Sequence, residues 1–240
     1  MTSASVAERR DQPAALEISA AVVAGADYAH ADVMRGSMRV ETGGLALIQV
    51  ANLHQAEIWG DLAVGLVTPE QGRVSILGND LSSLDLEMGD WLRGRIGRAF
   101  SRGGWLDRLS LMDNILLQVR HHSGRSDDEL RREASALAQS FDMPGIPLGT
   151  PDRFTRIELQ RAACVRAFLG DPLLVILEDP TYAAHADMLA PLMGAIRAVR
   201  DRGAAVLWFS PSTELWRDRT IPTTRRYRMA GNELMEVASR

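Results

Sequence analysis

Residues 154–180 read FTRIELQRAACVRAFLGDPLLVILEDP. The first half is rich in helix formers. The second is a continuous apolar run over 173–177, closed by two carboxylates, Glu178 and Asp179. Gly170, Asp171 and Pro172 separate the halves. A helix over roughly 155–169, a short turn and an unbroken apolar strand predict a strand covered on both faces, as in a parallel sheet. The pattern then repeats. Leu189, Leu192, Met193, Ile196 and Val199 fall at helical spacing over 186–202, Gly203 caps that helix, and 204–209 is a second buried strand. Strand, helix and strand joined by short turns imply a right-handed parallel crossover.

Upstream, Thr42, Gly43 and Gly44 form a turn before a buried strand over 45–50. Ile58, Leu62, Val64, Leu66 and Val67 give residues 56–67 one broad apolar helical face. A turn from Pro69 to Gly72 leads into a strand over 73–77. Residues 16–50 read as short strands. Residues 84–150 differ: they are rich in charge and helix formers. Ser126 and Glu129 make a capping box, Leu130, Ala134, Leu137 and Phe141 share one face, and Pro144 ends the helix. This stretch reads as a helical lobe inserted into an α/β core. RRYRMAGNELMEV, near the C-terminus, reads as a hairpin turning at 230–232.

The chain has 240 residues and a net charge of −4, which argues against a nucleic-acid surface. Cys164 alone excludes a disulfide framework and fits a reducing compartment as a small buried apolar residue. No apolar run is long enough to span a bilayer. Residues 1–14 carry charges but no apolar signal core, and read as a disordered lead to a single domain over 15–240. His54, His121, His122 and His185 show no metal-ligand spacing, so no metal site is expected.

Three stretches resemble the ATPase (nucleotide-binding) domain of ABC transporters. Residues 45–81 match its strand, phosphate loop, helix and "P-x-x-G-x-V" continuation through Pro69, Gly72, Val74, Gly78, Asp80 and Leu81. Residues 154–180 match its signature helix and Walker B strand through Arg161, Ala162, Arg166, Ala167, Pro172 and Pro180. Residues 96–122 resemble the segment around the Q-loop, and their wording is closest to ATPase subunits of MCE-type (Mla-like) lipid transporters. The resemblance implies an α/β, P-loop NTPase-like core with a mixed or parallel sheet, an N-terminal antiparallel β subdomain and a helical subdomain inserted over about 100–168. It also implies head-to-tail pairing with a second ATPase subunit, docking on transmembrane permease subunits, and a peripheral place at the cytoplasmic face of a membrane.

The nucleotide-handling positions depart from that family. Its phosphate loop uses glycines to present backbone amides, a Lys for the β/γ-phosphates and a Ser or Thr for Mg²⁺. Here the eight positions run from Val50 to Glu57 without a glycine. Leu53 and Gln55 stand at glycine positions, Ala56 at the Lys and Glu57 at the hydroxyl. A carboxylate about 4 Å from a phosphate oxygen repels it by roughly 4 kcal/mol at an effective dielectric near 20. Ser101 stands at the Q-loop Gln. Phe154, Thr155, Arg156, Ile157 and Glu158 replace LSGGQ. Glu178 and Asp179 invert the Walker B Asp-Glu, His185 holds the D-loop Asp position, and Pro211 replaces the switch histidine. The resemblance with these departures implies a pseudo-ATPase, with no catalytic residue and no cofactor expected. An alternative keeps ATP and Mg²⁺, with Glu57 and Glu178 on the metal and Asp179 as base; a third is a soluble regulatory adaptor. For Glu178 and Asp179 a solvated strand end or an arginine partner is also expected. Tyr28 falls where an aromatic stacks on adenine in the family, or else is an ordinary surface or core tyrosine. Trp105, Leu106 and Leu109 fall where the family receives its membrane subunit, or else pack within the lobe. Arg93, Arg95, Arg98, Arg102 and Arg108 read as a solvated face, or one that meets anionic headgroups.

Overall fold

The computed structural model describes residues 14–25 and 31–238; the lead over 1–13 and Tyr28 lie outside the described residues. One ten-stranded sheet runs through the described chain. Its strands are β1 (Ala14–Gly25), β2 (Ala31–Glu41), β3 (Leu45–Gln49), β4 (Gln71–Ile76), β5 (Asn79–Asp80), β6 (Ile96–Ala99), β7 (Leu174–Glu178), β8 (Ala205–Ser210), β9 (Arg225–Ala230) and β10 (Glu233–Glu236). The order across the sheet is β5-β4-β1-β2-β10-β9-β3-β8-β7-β6. β3 pairs in parallel with β8 and β9, and β7 with β6 and β8. β1, β2, β4 and β5 form an antiparallel flank. The helices are α1 (Leu53–Ala63), α2 (Leu86–Arg93), α3 (Leu111–His122), α4 (Asp127–Ser140), α5 (Arg156–Phe168), α6 (His185–Asp201) and α7 (Thr213–Arg217).

The parallel strands are buried on both faces, and their residues alternate between two hydrophobic cores. Leu45, Leu47, Val175, Leu177, Val206 and Trp208 face the core shared with α3–α6. Ala46, Ile48, Leu174, Ile176, Leu207 and Phe209 face the core shared with α1, where Ile58 and Trp59 pack. α4 begins at a capping box in which Ser126 and Glu129 satisfy each other's backbone amides, as its sequence predicts.

Three local readings change. β1 and β2 are long, 12 and 11 residues, rather than a set of short strands. Register shifts, one of them beside Ala20 at φ +47°, break the alternation that a sequence reading counts. The charge-rich stretch 84–150 contains the edge strand β6 as well as helices. Gly97 lets β6 lie against α5, for a Cβ there would sit 1.8 Å from the Ala167 carbonyl oxygen. Finally, α1 starts at Leu53, three residues earlier than its apolar spacing indicates. No helix among the described residues is long and apolar enough to cross a membrane.

Candidate functional site

The phosphate-loop positions follow β3, at the C-terminal ends of the parallel strands. In a parallel α/β sheet this is where a helix N-terminus offers unpaired amides to an anion. Here helix replaces loop. Asn52 is extended (φ −154°, ψ 167°) and caps α1, its side chain accepting from the Gln55 amide at 3.0 Å. The Gln55 side chain folds back: Oε1 accepts from the Ala51 amide at 2.8 Å, and Nε2 donates to the Gly231 carbonyl at 3.0 Å. Gln55 and Ala56 are buried, as is Val50, whose amide donates to Ser210 O. No residue from 50 to 57 has a positive φ, so the alternating backbone that aims successive amides at one point is not formed. The substituted residues therefore do not fill a loop; they convert it to a capped helix, with Leu53 at its first position.

The metal side is built from four elements. Glu178 ends β7 and is fully buried. Its Oε1 accepts from Arg98 Nε at 2.7 Å, and its Oε2 from the Ser101 amide at 2.9 Å. Ser101 Oγ donates to Glu57 Oε1 at 3.0 Å, and the His54 ring lies 3.8 Å from the other Glu57 oxygen. Arg98, only 7% exposed, reaches Asp61 at 2.5 Å and the Glu57 carbonyl at 3.2 Å. Gly60 makes room for this: a Cβ on it would lie 2.7 Å from the guanidinium and 3.0 Å from Glu178. Burial raises the pKa of Glu178, Arg98 and the Ser101 amide restrain the rise, and Glu57 adds to it. Arg98 thus leaves the solvated face assigned to it. Strand alternation at Ile96, Arg98 and Phe100 was the signal, hidden because charge alone gives no face. Arg93 and Arg95 do pair at the surface, with Asp90 and Asp171, while Arg102 and Arg108 are exposed.

Asp179 follows with φ +47°, its amide donating to Phe209 O and its Oδ1 accepting from Ser210 Oγ at 3.0 Å. Pro211 is exposed beside it. His185 is the first residue of α6. In the signature region Thr155 caps α5, and the Glu158 carboxylate accepts from the Thr155 amide at 2.8 Å and from its hydroxyl at 2.7 Å. Arg156 and Ile157 are exposed on the first turn.

These residues do not fit a magnesium triphosphate. The Gln55 amide is taken by Asn52 and the Ala51 amide by the Gln55 side chain, the Lys position is buried Ala56, and a guanidinium stands against the carboxylate that would serve the metal. Among the described residues no group of three His, Cys, Asp or Glu side chains could hold a metal ion.

Beside this site runs a groove of about 650 Å³ whose lining includes Leu66, Ile96, Leu106 and Leu117. Arg93, Arg166, His121 and His122 also line it, and no carboxylate does. Leu66, Leu106 and Leu117 are 66%, 51% and 48% exposed. Of the three docking residues, Leu106 lines this groove. Trp105 packs against the helical core beneath the Arg166 guanidinium, 4.4 Å from the ring centroid, and Leu109 is half-buried.

No protein-family model matches the chain. It is 26% identical over 151 residues to the macrolide export ATP-binding/permease protein MacB of Chlorobium phaeobacteroides, covering 62% of this chain and 23% of the relative. It is 32% identical over 126 residues to the phosphonates import ATP-binding protein PhnC of Alcaligenes faecalis, covering 48% and 45%. It is 26% identical over 116 residues to the intermembrane phospholipid transport system ATP-binding protein MlaF of Haemophilus influenzae, covering 48% and 44%. The match thus spans less than half the length of each of these relatives. Among solved structures, the dimeric bacterial ABC transporter cassette MJ0796 superposes with a TM-score of 0.77 at 14% identity, over 94% of this chain and all of that one. An ATP-binding subunit of an ABC transporter superposes with a TM-score of 0.75 at 18% identity, over 93% and 89%. Sheet order, inserted helices and these likenesses agree: the chain has the ATP-binding-cassette fold and is similar in sequence to the ATPase domains of ABC transporters.

Proposed function

We propose that this chain is a non-catalytic ABC subunit, a pseudo-ATPase that supports a membrane transporter. The observation that carries the reading is Gln55, whose side chain folds back on the Ala51 amide just ahead of α1 and ties the helix to Gly231 on the β9–β10 turn. Glu178 with Arg98, Asp179 with Ser210 and Glu158 with Thr155 support it, for each group at a phosphate, metal or base position is engaged within the chain. The exposed apolar groove fits a second role, docking on transmembrane permease subunits at the cytoplasmic face of the membrane. Pairing with a second ATPase-fold subunit, identical or different, follows from likeness to a dimeric cassette. Lipid is the cargo class favoured by the wording of residues 96–122 and by similarity to a phospholipid-transport subunit.

Two measurements test the proposal. Calorimetric titration with ATP and Mg²⁺ should give no binding at micromolar affinity, and purified protein no turnover. Affinity purification from membranes should recover permease subunits. Tight ATP binding would contradict the proposal, and turnover abolished by Asp179→Ala would support the catalytic alternative. Recovery of soluble proteins only would establish a regulatory adaptor.

A further inference from the structure

The segment from Phe100 to Leu106 is tied at both ends. At its lobe end, Arg166 on α5 donates to the carbonyls of Gly103 and Gly104, the latter at 3.0 Å. Asn114 on α3 brackets Leu106, accepting from its amide at 2.8 Å and donating to its carbonyl at 3.0 Å. At its core end, Ser101 is held by Glu178 of β7 through its amide and by Glu57 of α1 through its hydroxyl. Between them the Phe100 ring lies 4.5 Å from the Arg98 guanidinium and 5.4 Å from that of Arg166. The core end brings two carboxylates onto one serine, Glu178 fully buried and Glu57 part-exposed. A carboxylate buried as Glu178 is needs a cation to offset its lost hydration and the repulsion of a neighbouring carboxylate. The chain supplies one: Arg98 bonds Glu178, Asp61 and the Glu57 carbonyl together.

We infer that Arg98 is a built-in cation that latches the 100–106 strap to the α/β core, so that the helical lobe is held in place without nucleotide or metal. The inference rests on the non-catalytic reading for its use, a subunit of fixed shape, but the latch is measurable by itself. An arginine suits the task because its planar fork can serve three acceptors at once and stays charged when buried. Gly60 shows the same fit from the other side, leaving the gap through which the guanidinium reaches Glu178.

Hydrogen exchange of the intact chain, followed by mass spectrometry over residues 99–106, tests it. In the unmodified protein the strap should exchange slowly and at one rate with or without ATP, Mg²⁺, Mn²⁺ or their mixtures. Arg98→Met should speed strap exchange by roughly ten- to hundredfold, the loss expected when a hydrogen bond to a charged group is released. If that variant does not fold, Arg98→Met/Glu178→Leu decides, because buried ion pairs exchanged for apolar side chains usually keep stability. It should retain the global unfolding midpoint while its strap exchanges fast. Glu178→Gln, close to isosteric, should give a smaller acceleration of the same segment. A folded double variant with an unchanged strap overturns the latch, as does a strap in the unmodified protein that slows with ATP–Mg²⁺ or with either metal alone. ATP binding with an unchanged strap would instead defeat the non-catalytic reading and leave the latch standing.

Discussion

At the scale of single residues, Gln55 and Arg98 decide what this site is. Gln55→Ala removes two hydrogen bonds at once and leaves the Ala51 amide without its side-chain acceptor. The cost of losing two part-buried side-chain hydrogen bonds is about 1–2 kcal/mol. Urea unfolding should show that loss with an unchanged slope, and the variant should gain no ATP binding, because the Asn52 cap and the Arg98 cluster remain. The substitutions at Val50, Leu53, Gln55, Ala56 and Glu57 were legible in the sequence as a list of absent chemistries. Their consequence, a helix that starts almost a turn earlier than the apolar spacing indicates and ends at Ala63, was not. Its signal was present in Asn52 ahead of Leu-His-Gln, a cap residue with an amide side chain three positions on. Matching the stretch to a family loop concealed it. Asp61 was invisible for a different reason: its partner Arg98 lies 37 residues away, and nothing local couples them.

At the scale of elements, β6 lies at the sheet edge, tightly against α5 at Gly97. Gly97→Ala would drive a methyl group into the Ala167 carbonyl, so β6 and α5 must part. Overpacking of this kind costs about 1–3 kcal/mol, read as a lowered urea midpoint. The strand went unread within 84–150 because four residues containing a glycine and an arginine carry little alternation to count. The strands β3, β7 and β8 were legible, since unbroken apolar runs between turn residues leave one reading. A second element-scale prediction concerns the α3–α4 pair. Hydrogen bonds from Arg120 and then Arg131 lower the Asp127 pKa to about 2, and Ser110 and then Arg120 hold Asp113 below the usual range. Both carboxylates are more acidic in the folded chain than unfolded. Their contribution is therefore present above the ordinary Asp value of 3.8 and is lost as pH falls toward about 2. Thermal unfolding followed across that window should show the decline, and Asp127→Asn should flatten it. A decline of equal slope in the variant would remove Asp127 from the account.

At the scale of the whole molecule, the groove beside the strap is the surface on which the transporter proposal stands. Its exposed leucines come from separate parts of the chain, Leu66 after α1, Leu106 in the strap and Leu117 on α3. Sequence reading reached only Leu106, because residues that meet across 50 positions share no periodicity. The folded arrangement also specifies a partner chemistry, since the lining joins apolar side chains to Arg93, Arg166 and two histidines without a carboxylate. A permease segment that fits should present apolar side chains flanked by an acidic one. Leu117→Arg tests this. Leu117 is 48% exposed, so the change should leave the unfolding free energy within about 0.5 kcal/mol of the parent. It also puts a further guanidinium on the apolar lining, where desolvating it on docking is unfavourable. Co-purification of membrane subunits should fall at least tenfold, about 1.4 kcal/mol of binding. Leu148→Arg, at a position 85% exposed and outside the groove lining, is the matched control and should change nothing. Equal recovery with both variants would move the docking surface elsewhere. Loss with both would mean that recovery follows added positive charge rather than this groove.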